Sequence, residues 1–294
     1  MSSKKHMLHS PNLLEKLRVP MGVVDVLADF DPGATTGYAG DGKEDADEET
    51  AALNPALSDL QERLYAAGTT GDPHTPAVLL ILQGLDTAGK GGVIRHAIGL
   101  VDPQGITLSA FKAPTQEELA HDFLWRIEKR LPAPGKIGIF DRSQYEDVLI
   151  GRVEHLAPAE EIERRYAAIN EFEARATEHG IHILKCFLHI SKAEQRGRLL
   201  ARLNNPEKYY KYNPSDVNTA QKYDAYMEAY SVALTRCNSE AAPWYVIPSD
   251  RKWYRNWAVA ELLTEKLREL NLEWPAADFD IAAETQRALA LPEK

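Results

Sequence analysis

Residues 83–92 read Gln-Gly-Leu-Asp-Thr-Ala-Gly-Lys-Gly-Gly. Gly84, Gly89 and Lys90 stand at the spacing that opens a phosphate-binding loop, two glycines five residues apart with a lysine directly after the second. Glycines let the main chain curl until successive N–H groups of Gly84, Thr87, Ala88, Gly89, Lys90, Gly91 and Gly92 face one centre, and the lysine adds a point charge for a phosphoryl oxygen. The next position usually carries a Ser or Thr whose hydroxyl binds Mg²⁺. Here it is Gly91, so a metal needs another oxygen donor, and Asp86 is the nearest. A second carboxylate follows about fifty residues on. Ile137-Gly138-Ile139-Phe140 is an apolar run that ends in Asp141-Arg142-Ser143. An Asp at the end of such a strand is commonly a turn or cap residue, but paired with the upstream loop it is placed as a metal ligand. Asp86 and Asp141 together are expected to hold Mg²⁺ between phosphate groups, with Arg142 as a fork donor to phosphate oxygens.

The elements that must position these groups are legible as an alternation. Residues 77–82 (Ala-Val-Leu-Leu-Ile-Leu) form an apolar run bounded by turn residues, as a strand buried on both faces requires. Four more strands are expected over 106–111, 137–140, 181–190 and 244–247. Helical patterns are expected over 55–67, 90–100, 115–131, from Pro158 through Phe172, 192–203, 215–237 and 254–270. Thr115 and Glu118 have capping-box spacing, and Pro158 suits a first helical turn. Strands alternating with helices imply right-handed crossovers and a parallel sheet covered on both faces. The expected fold is α/β: a three-layer P-loop kinase-like domain with a five-stranded parallel sheet and a helical lid insertion. Its expected limits are 51–275, with the lid near 192–236, an acidic and partly mobile arm over 1–50, and a tail over 276–294.

Length and composition agree with one such domain. The chain has 294 residues, 44% hydrophobic and 27% charged, the balance of a globular protein. No apolar run approaches the roughly 20 residues of a membrane span, and residues 1–19 lack the apolar core of a secretory signal. The two cysteines, Cys186 and Cys237, have no metal spacing, which leaves a reducing cytoplasm as the expected location. The nine histidines show no ligand spacing either.

The net charge of −10 argues against a polyanionic partner until its distribution is considered. Residues 25–50 alone carry −8, whereas 192–211 carry +4 through Lys192, Arg196, Arg198, Arg202, Lys208 and Lys211. A line of cations beside a phosphate loop suits an extended chain of phosphates. A single triphosphate needs two or three cations; a solvated helix face needs none. The series Tyr223, Tyr226, Met227, Tyr230 and Leu234 is read as a packed helix face rather than a base-stacking platform.

Taken together, these residues resemble the polyphosphate kinase type 2 family. The loop Gly84–Gly92 is similar to that family's variant phosphate loop, and Phe140–Leu149 (FDRSQYEDVL) to its second motif. Asn205-Pro206-Glu207-Lys208-Tyr209-Tyr210-Lys211 resembles its lid motif, and 242–257 (APWYVIPSDRKWYRNW) its C-terminal block. The resemblance covers roughly 51–272. It implies Mg²⁺-dependent phosphoryl transfer between inorganic polyphosphate and a nucleotide (AMP, ADP or ATP), in a homo-oligomer without nucleic acid or membrane partners. It also implies catalytic roles for Asp86, Lys90, Asp141 and Arg142 and for the lid residues Arg196, Arg202, Lys208 and Lys211. Tyr145, Glu146 and Asp147 become candidate nucleotide contacts, and the Glu-Asp pair resembles the branch acting on both AMP and ADP. The competing readings are an ATP-dependent nucleoside or nucleotide kinase of the same loop class, and a non-enzymatic polyphosphate- or nucleic-acid-binding module. The second has no use for two metal carboxylates.

If the cationic segment closes over the reacting phosphates, Lys208→Ala and Arg202→Ala lower turnover far more than stability. Steady-state kinetics with long-chain polyphosphate, beside thermal melting, check this; near-normal kinetics in both variants would remove the segment from the mechanism.

Overall fold

The apolar runs become five parallel strands: β1 (Ala77–Gln83), β2 (Ile106–Ala110), β3 (Ile137–Asp141), β4 (Ile181–His189) and β5 (Trp244–Pro248). The computed structural model describes residues 12–292; residues 1–11 of the expected arm and 293–294 of the expected tail lie outside the described residues. Helices α1 (Leu13–Lys16), α2 (Lys43–Thr69), α3 (Lys90–His96), α4 (Gln116–Leu119), α5 (Trp125–Glu128), α6 (Glu146–Val153), α7 (Ala159–Glu178), α8 (Lys192–Leu203), α9 (Ser215–Gln221), α10 (Tyr223–Arg236), α11 (Lys252–Glu269) and α12 (Ile281–Leu289) surround them. The strand order is β2-β3-β1-β4-β5, every neighbour parallel. All seven residues of β1 are buried, as its central place demands. Its side chains alternate between two cores: Val78, Leu80 and Leu82 enter one, Ala77, Leu79 and Ile81 the other with Phe140 and Phe172. A sheet apolar on both faces needs cover on both, which gives the three layers expected.

Topology places the site. β1 lies between β3 and β4, so the chain leaves β1 and β3 side by side, with Leu82 in register with Asp141. The crevice beyond the carboxyl ends of adjacent parallel strands is where open α/β sheets bind ligands.

Several helices differ from the sequence pattern. Residues 115–131 form two short helices. α4 has the expected capping box, Thr115 with Glu118, but Asp122 accepts from the Leu124 amide at 3.0 Å and starts a new turn, the local competition that short acidic side chains offer. Residues 215–237 break at Lys222, which caps α9, precedes α10 and pairs with Glu154. The helix beginning at Lys90 ends at His96, followed by a 3₁₀ turn at Ile98–Leu100. α2 begins twelve residues before the expected start and holds Pro55 inside it; Glu44 and Asp45 in its first turn suit the helix dipole.

The segment before α2 is packed rather than loose. Leu13, Leu17, Val19 and Val26 are buried. Val19 N–H donates to Trp244 O and Val246 N–H to Leu17 O, an antiparallel bridge at Arg18–Tyr245 that covers the edge of β5. Glu265 on α11 accepts the Leu13 and Leu14 amides at 3.1 and 2.9 Å. Of these four apolar anchors only Val26 stands in the acidic, Gly-rich stretch 25–50; the other three precede it. By contrast α12 buries none of its residues. Among the described residues, no helix is long and apolar enough to cross a membrane.

One buried acid opposes this packing. Burial beside Glu265 and Glu49 pushes Glu261 on α11 from 4.5 up to about 7, against the help of Arg268. The folded protein therefore holds this proton more tightly than the unfolded chain. The group's contribution to stability is fully present below pH 4.5 and is lost as pH rises through 7. Glu261→Gln is expected to stabilise the protein at pH 8, by up to about 3 kcal/mol, with most of the gain gone at pH 5. Urea unfolding at the two pH values measures it.

Candidate active site

β1 ends at Gln83 and the chain turns at once through Gly84 to Gly89 into α3. Thr87 (φ 70°) and Gly89 (φ 113°) take left-handed conformations, as the curl requires. A Cβ on Gly89 would fall 1.8 Å from Arg255 Nη1 and would displace that guanidinium, and the positive φ strains any other residue there. Lys90 is buried, and its Nζ donates to Gly84 O at 2.6 Å. Burial and the neighbouring Arg142 lower its affinity for a proton, while Asp141, Asp86 and Glu146 sustain the charge.

β3 delivers Asp141, and Arg142 follows in a left-handed conformation (φ 64°). This turn aims the Arg142 guanidinium back at the loop, where Nη2 donates to Asp86 Oδ1 at 2.8 Å and Nε lies 3.7 Å from Glu146. Burial opposes the Arg142 charge, but Glu146, Asp86 and Asp141 outweigh it and raise its pKa. Burial raises the Glu146 pKa, with Arg142 and Lys90 pulling the other way. The structure thus assembles Asp86, Lys90, Asp141, Arg142 and Glu146 into one field of three carboxylates and two cations.

The fit to a hard divalent cation rests on orphaned atoms. Asp141 Oδ1 and Thr87 Oγ1 are buried without a hydrogen-bond partner, which is costly unless something else satisfies them. Among the described residues no cluster of three or more His, Cys, Asp or Glu could hold a metal by itself. Mg²⁺ does not need one, since it keeps waters and binds through one or two carboxylates plus substrate phosphates. Asp86 and Asp141 fit that role.

A cavity of about 860 Å³ opens beside the loop. Gly84, Leu85, Asp86, Arg142 and Glu146 form its inner end, with Lys112, Arg126, Arg165 and Lys222 as cations around it. Asp147 lines it between Arg126 (3.6 Å) and Arg165 (3.5 Å); burial raises its pKa against those two arginines. Tyr226 and Tyr230 are buried in the helix face, as expected, yet their edges also reach this cavity.

Two sequence expectations need correction. Tyr145 is fully buried and turned away from the cavity. Its hydroxyl donates to Glu173 at 2.7 Å and accepts from Lys185 at 2.9 Å, so it has no free group for a nucleotide. Arg198 was expected among the phosphate ligands. It is buried instead, and its five N–H donors serve Glu194, Thr87 O, Ala88 O, Ser249 O and Asp250 O. Helical spacing could not reveal that Arg198 faces inward while Arg196 faces solvent. Lys208 and Lys211 are exposed on the 3₁₀ segment Pro206–Lys211. Arg202 is half-buried, donating to Asp216 at 3.1 Å and to Lys211 O at 2.9 Å.

Sequence reasoning missed Lys112, Arg126, Arg165, Asp216 and Arg255. The first four reach the cavity from separate stretches of the chain and share no motif. Arg255 stands in the block 242–257 but looks there like an ordinary helical arginine.

A central parallel strand, a glycine-rich loop with its lysine, and a carboxylate at the end of the adjacent strand define a P-loop phosphotransferase. The model of the Polyphosphate kinase 2 family matches residues 41–274, and the chain belongs to that family. It is 45% identical over 262 residues to the AMP/ADP-polyphosphate phosphotransferase of Meiothermus ruber, covering 89% of this chain and 96% of that one. It is 42% identical over 231 residues to the ADP-polyphosphate phosphotransferase of Rhodopseudomonas palustris, covering 74% and 78%. The crystal structure of Polyphosphate Kinase 2 from Arthrobacter aurescens superposes with a TM-score of 0.90 at 53% identity, covering 96% of this chain and 97% of that one. The chain is therefore a polyphosphate kinase, an enzyme of phosphoryl transfer between polyphosphate and a nucleotide. These relatives lend no support to the reading as an ATP-dependent nucleoside kinase.

Asp141→Asn keeps the side-chain volume and removes the charge from a buried oxygen that nothing else satisfies. It is expected to lower kcat by on the order of 10²–10³-fold while thermal melting stays close to that of the parent. Coupled nucleotide assays beside calorimetry check both halves.

Proposed function

We propose that this chain moves the terminal phosphoryl group of inorganic polyphosphate onto AMP and onto ADP, with the donor on the phosphate loop and the acceptor nucleotide in the adjoining cavity. The observation that carries this reading is that cavity: it opens on Asp86 and Arg142 and is ringed by cations from four separate stretches of the chain. A nucleotide needs room for its base and sugar at one end and cations for its phosphates at the other. The Meiothermus ruber relative, which carries both acceptors in its name, supports the pair.

The chain's own groups have distinct tasks. Loop amides and Lys90 bind the donor's terminal phosphates, and Arg142 spans the gap between donor and acceptor. Arg196, Arg202, Lys208 and Lys211 offer charge along the remaining polyphosphate, and closure of their segment excludes water as a rival acceptor. Asp86 and Asp141 would hold Mg²⁺, which when bound neutralises charge on phosphoryl oxygens. In-line transfer passes through a loose transition state, so positioning and charge do most of the catalysis. The acceptor oxygen of AMP or ADP is already anionic and asks for no strong base. None of the groups at the loop is a histidine, and none needs to be. The catalytic unit is taken as 51–275, in the cytoplasm, where the two buried thiols remain unpaired.

The test mixes the purified full chain with Mg²⁺, polyphosphate and either AMP or ADP, following products by ion-exchange chromatography. ADP and ATP are expected from AMP, and ATP from ADP. Conversion of ADP alone would withdraw AMP as an acceptor, and transfer only from ATP onto a nucleoside would overturn the proposal.

A further inference from the structure

Three successive carbonyls of the phosphate loop point away from its cradle, and each is held by a side chain from another element. Gln195 Nε2 donates to Asp86 O at 3.3 Å. Arg198 Nη1 donates to Thr87 O at 2.9 Å and Ala88 O at 3.1 Å. Arg255 Nη1 donates to the same Ala88 O at 3.0 Å. Gln195 and Arg198 lie three residues apart on one face of α8, and Arg255 comes from α11. All three are buried, at 1%, 7% and 3% exposure.

Arg255 is the unusual member. Its other hydrogen bonds go to Asn256 Oδ1, and among the described residues no carboxylate pairs with it. Burial and the nearby Arg198 both act against its charge. A buried, unpaired cation is costly, so its place needs a reason. The loop supplies one. A Cβ on Gly92 would fall 2.5 Å from Arg255 Nη2 and one on Gly89 1.8 Å from Nη1, so two glycines leave the space that the guanidinium fills.

We infer that Gln195, Arg198 and Arg255 are positioning residues that suspend the loop from behind, fixing the peptide planes between Asp86 and Gly89. In a trans peptide the carbonyl of one residue and the N–H of the next point in opposite directions. Holding Asp86 O and Ala88 O on the outside therefore turns the Thr87 and Gly89 amides to the inside, where phosphate is to be bound. Arg198 also donates to Ser249 O and Asp250 O, so it bolts the base of the lid helix to the loop and to the start of α11. The suspension acts through backbone and touches no substrate. This inference rests on the phosphate loop being the donor site.

The test uses the full chain with Arg255→Ala, Gly92→Ala and the double variant. Gly92 lies inside α3 with no positive φ, so alanine favours the helix by about 1 kcal/mol while its methyl displaces the guanidinium. Each single variant is expected to lower kcat about 10–100-fold, the range seen when an outer supporting contact is lost, with KM for polyphosphate nearly unchanged. The double variant is expected to be no worse than Arg255→Ala alone, because both changes remove one contact. Amide hydrogen exchange over residues 84–92, read on the same unliganded proteins, is expected to quicken while global unfolding free energy holds. A rise in KM that grows with polyphosphate length at constant kcat would make Arg255 a phosphate ligand and overturn the inference. So would a Gly92→Ala effect that persists in full without Arg255, or unchanged loop exchange in both single variants. Absence of polyphosphate transfer by the parent protein would instead overturn the functional reading, and the exchange result would still decide the suspension.

Discussion

Two polyanions do not approach within bonding distance unless their charge is cancelled where they meet. That constraint governs what stands at the carboxyl ends of β1 and β3. Lys90 and Arg142 lie among Asp86, Asp141 and Glu146, so neither sign dominates before substrate arrives. Cations alone would bind phosphate and hold it, whereas carboxylates alone would repel it. The mixture leaves room for a divalent cation and for two phosphate chains. An acidic protein of net charge −10 can then handle polyphosphate because Lys112, Arg126, Arg165 and Lys222 gather around the cavity and six further cations fall within 192–211.

Such a field has to be held still, and the core behind it does this. Lys185 on β4 is fully buried and donates to Tyr145 Oη, to Cys237 O and to Glu173, the last at 2.5 Å. Glu173 accepts from Gln144 and Tyr145 as well. Gln144 and Tyr145 immediately precede α6, which carries Glu146 and Asp147. A buried ion pair is a poor source of net stability, and removing one partner is strongly destabilising. This pair fixes where α6 begins. Tyr145 therefore belongs to the support of the site, one residue away from the groups that line it.

The parts of the sequence that could be read were those whose physics is local or periodic. Five strands appeared because a parallel sheet covered on both faces demands unbroken apolar runs, and β1 has one. The phosphate loop and the capping box at Thr115 appeared because turn and cap geometry fix residue types at short spacing. What failed were features decided by distant partners. Periodicity over 215–237 continued through Lys222, but Glu154 on another element draws that residue out and the helix breaks. The acidic composition around residues 25–50 suggested a loose arm, while Leu13, Leu17 and Val19 just before it are buried against α11 and β5 and Val26 within it is buried beside α10. Arg198 and Arg196 look alike in sequence; only the placement of α8 over the loop separates a buried clamp from an exposed cation.

The central claim is that Asp86 and Asp141 share a divalent cation with the phosphates held on the loop. Crystals grown with Mn²⁺ in place of Mg²⁺ and a short polyphosphate, measured at the manganese absorption edge, test it most directly. An anomalous peak bridged by both carboxylates and a phosphate oxygen is the expected result. Ordered polyphosphate on the loop with the two carboxylates turned apart and no anomalous scatterer between them would contradict it.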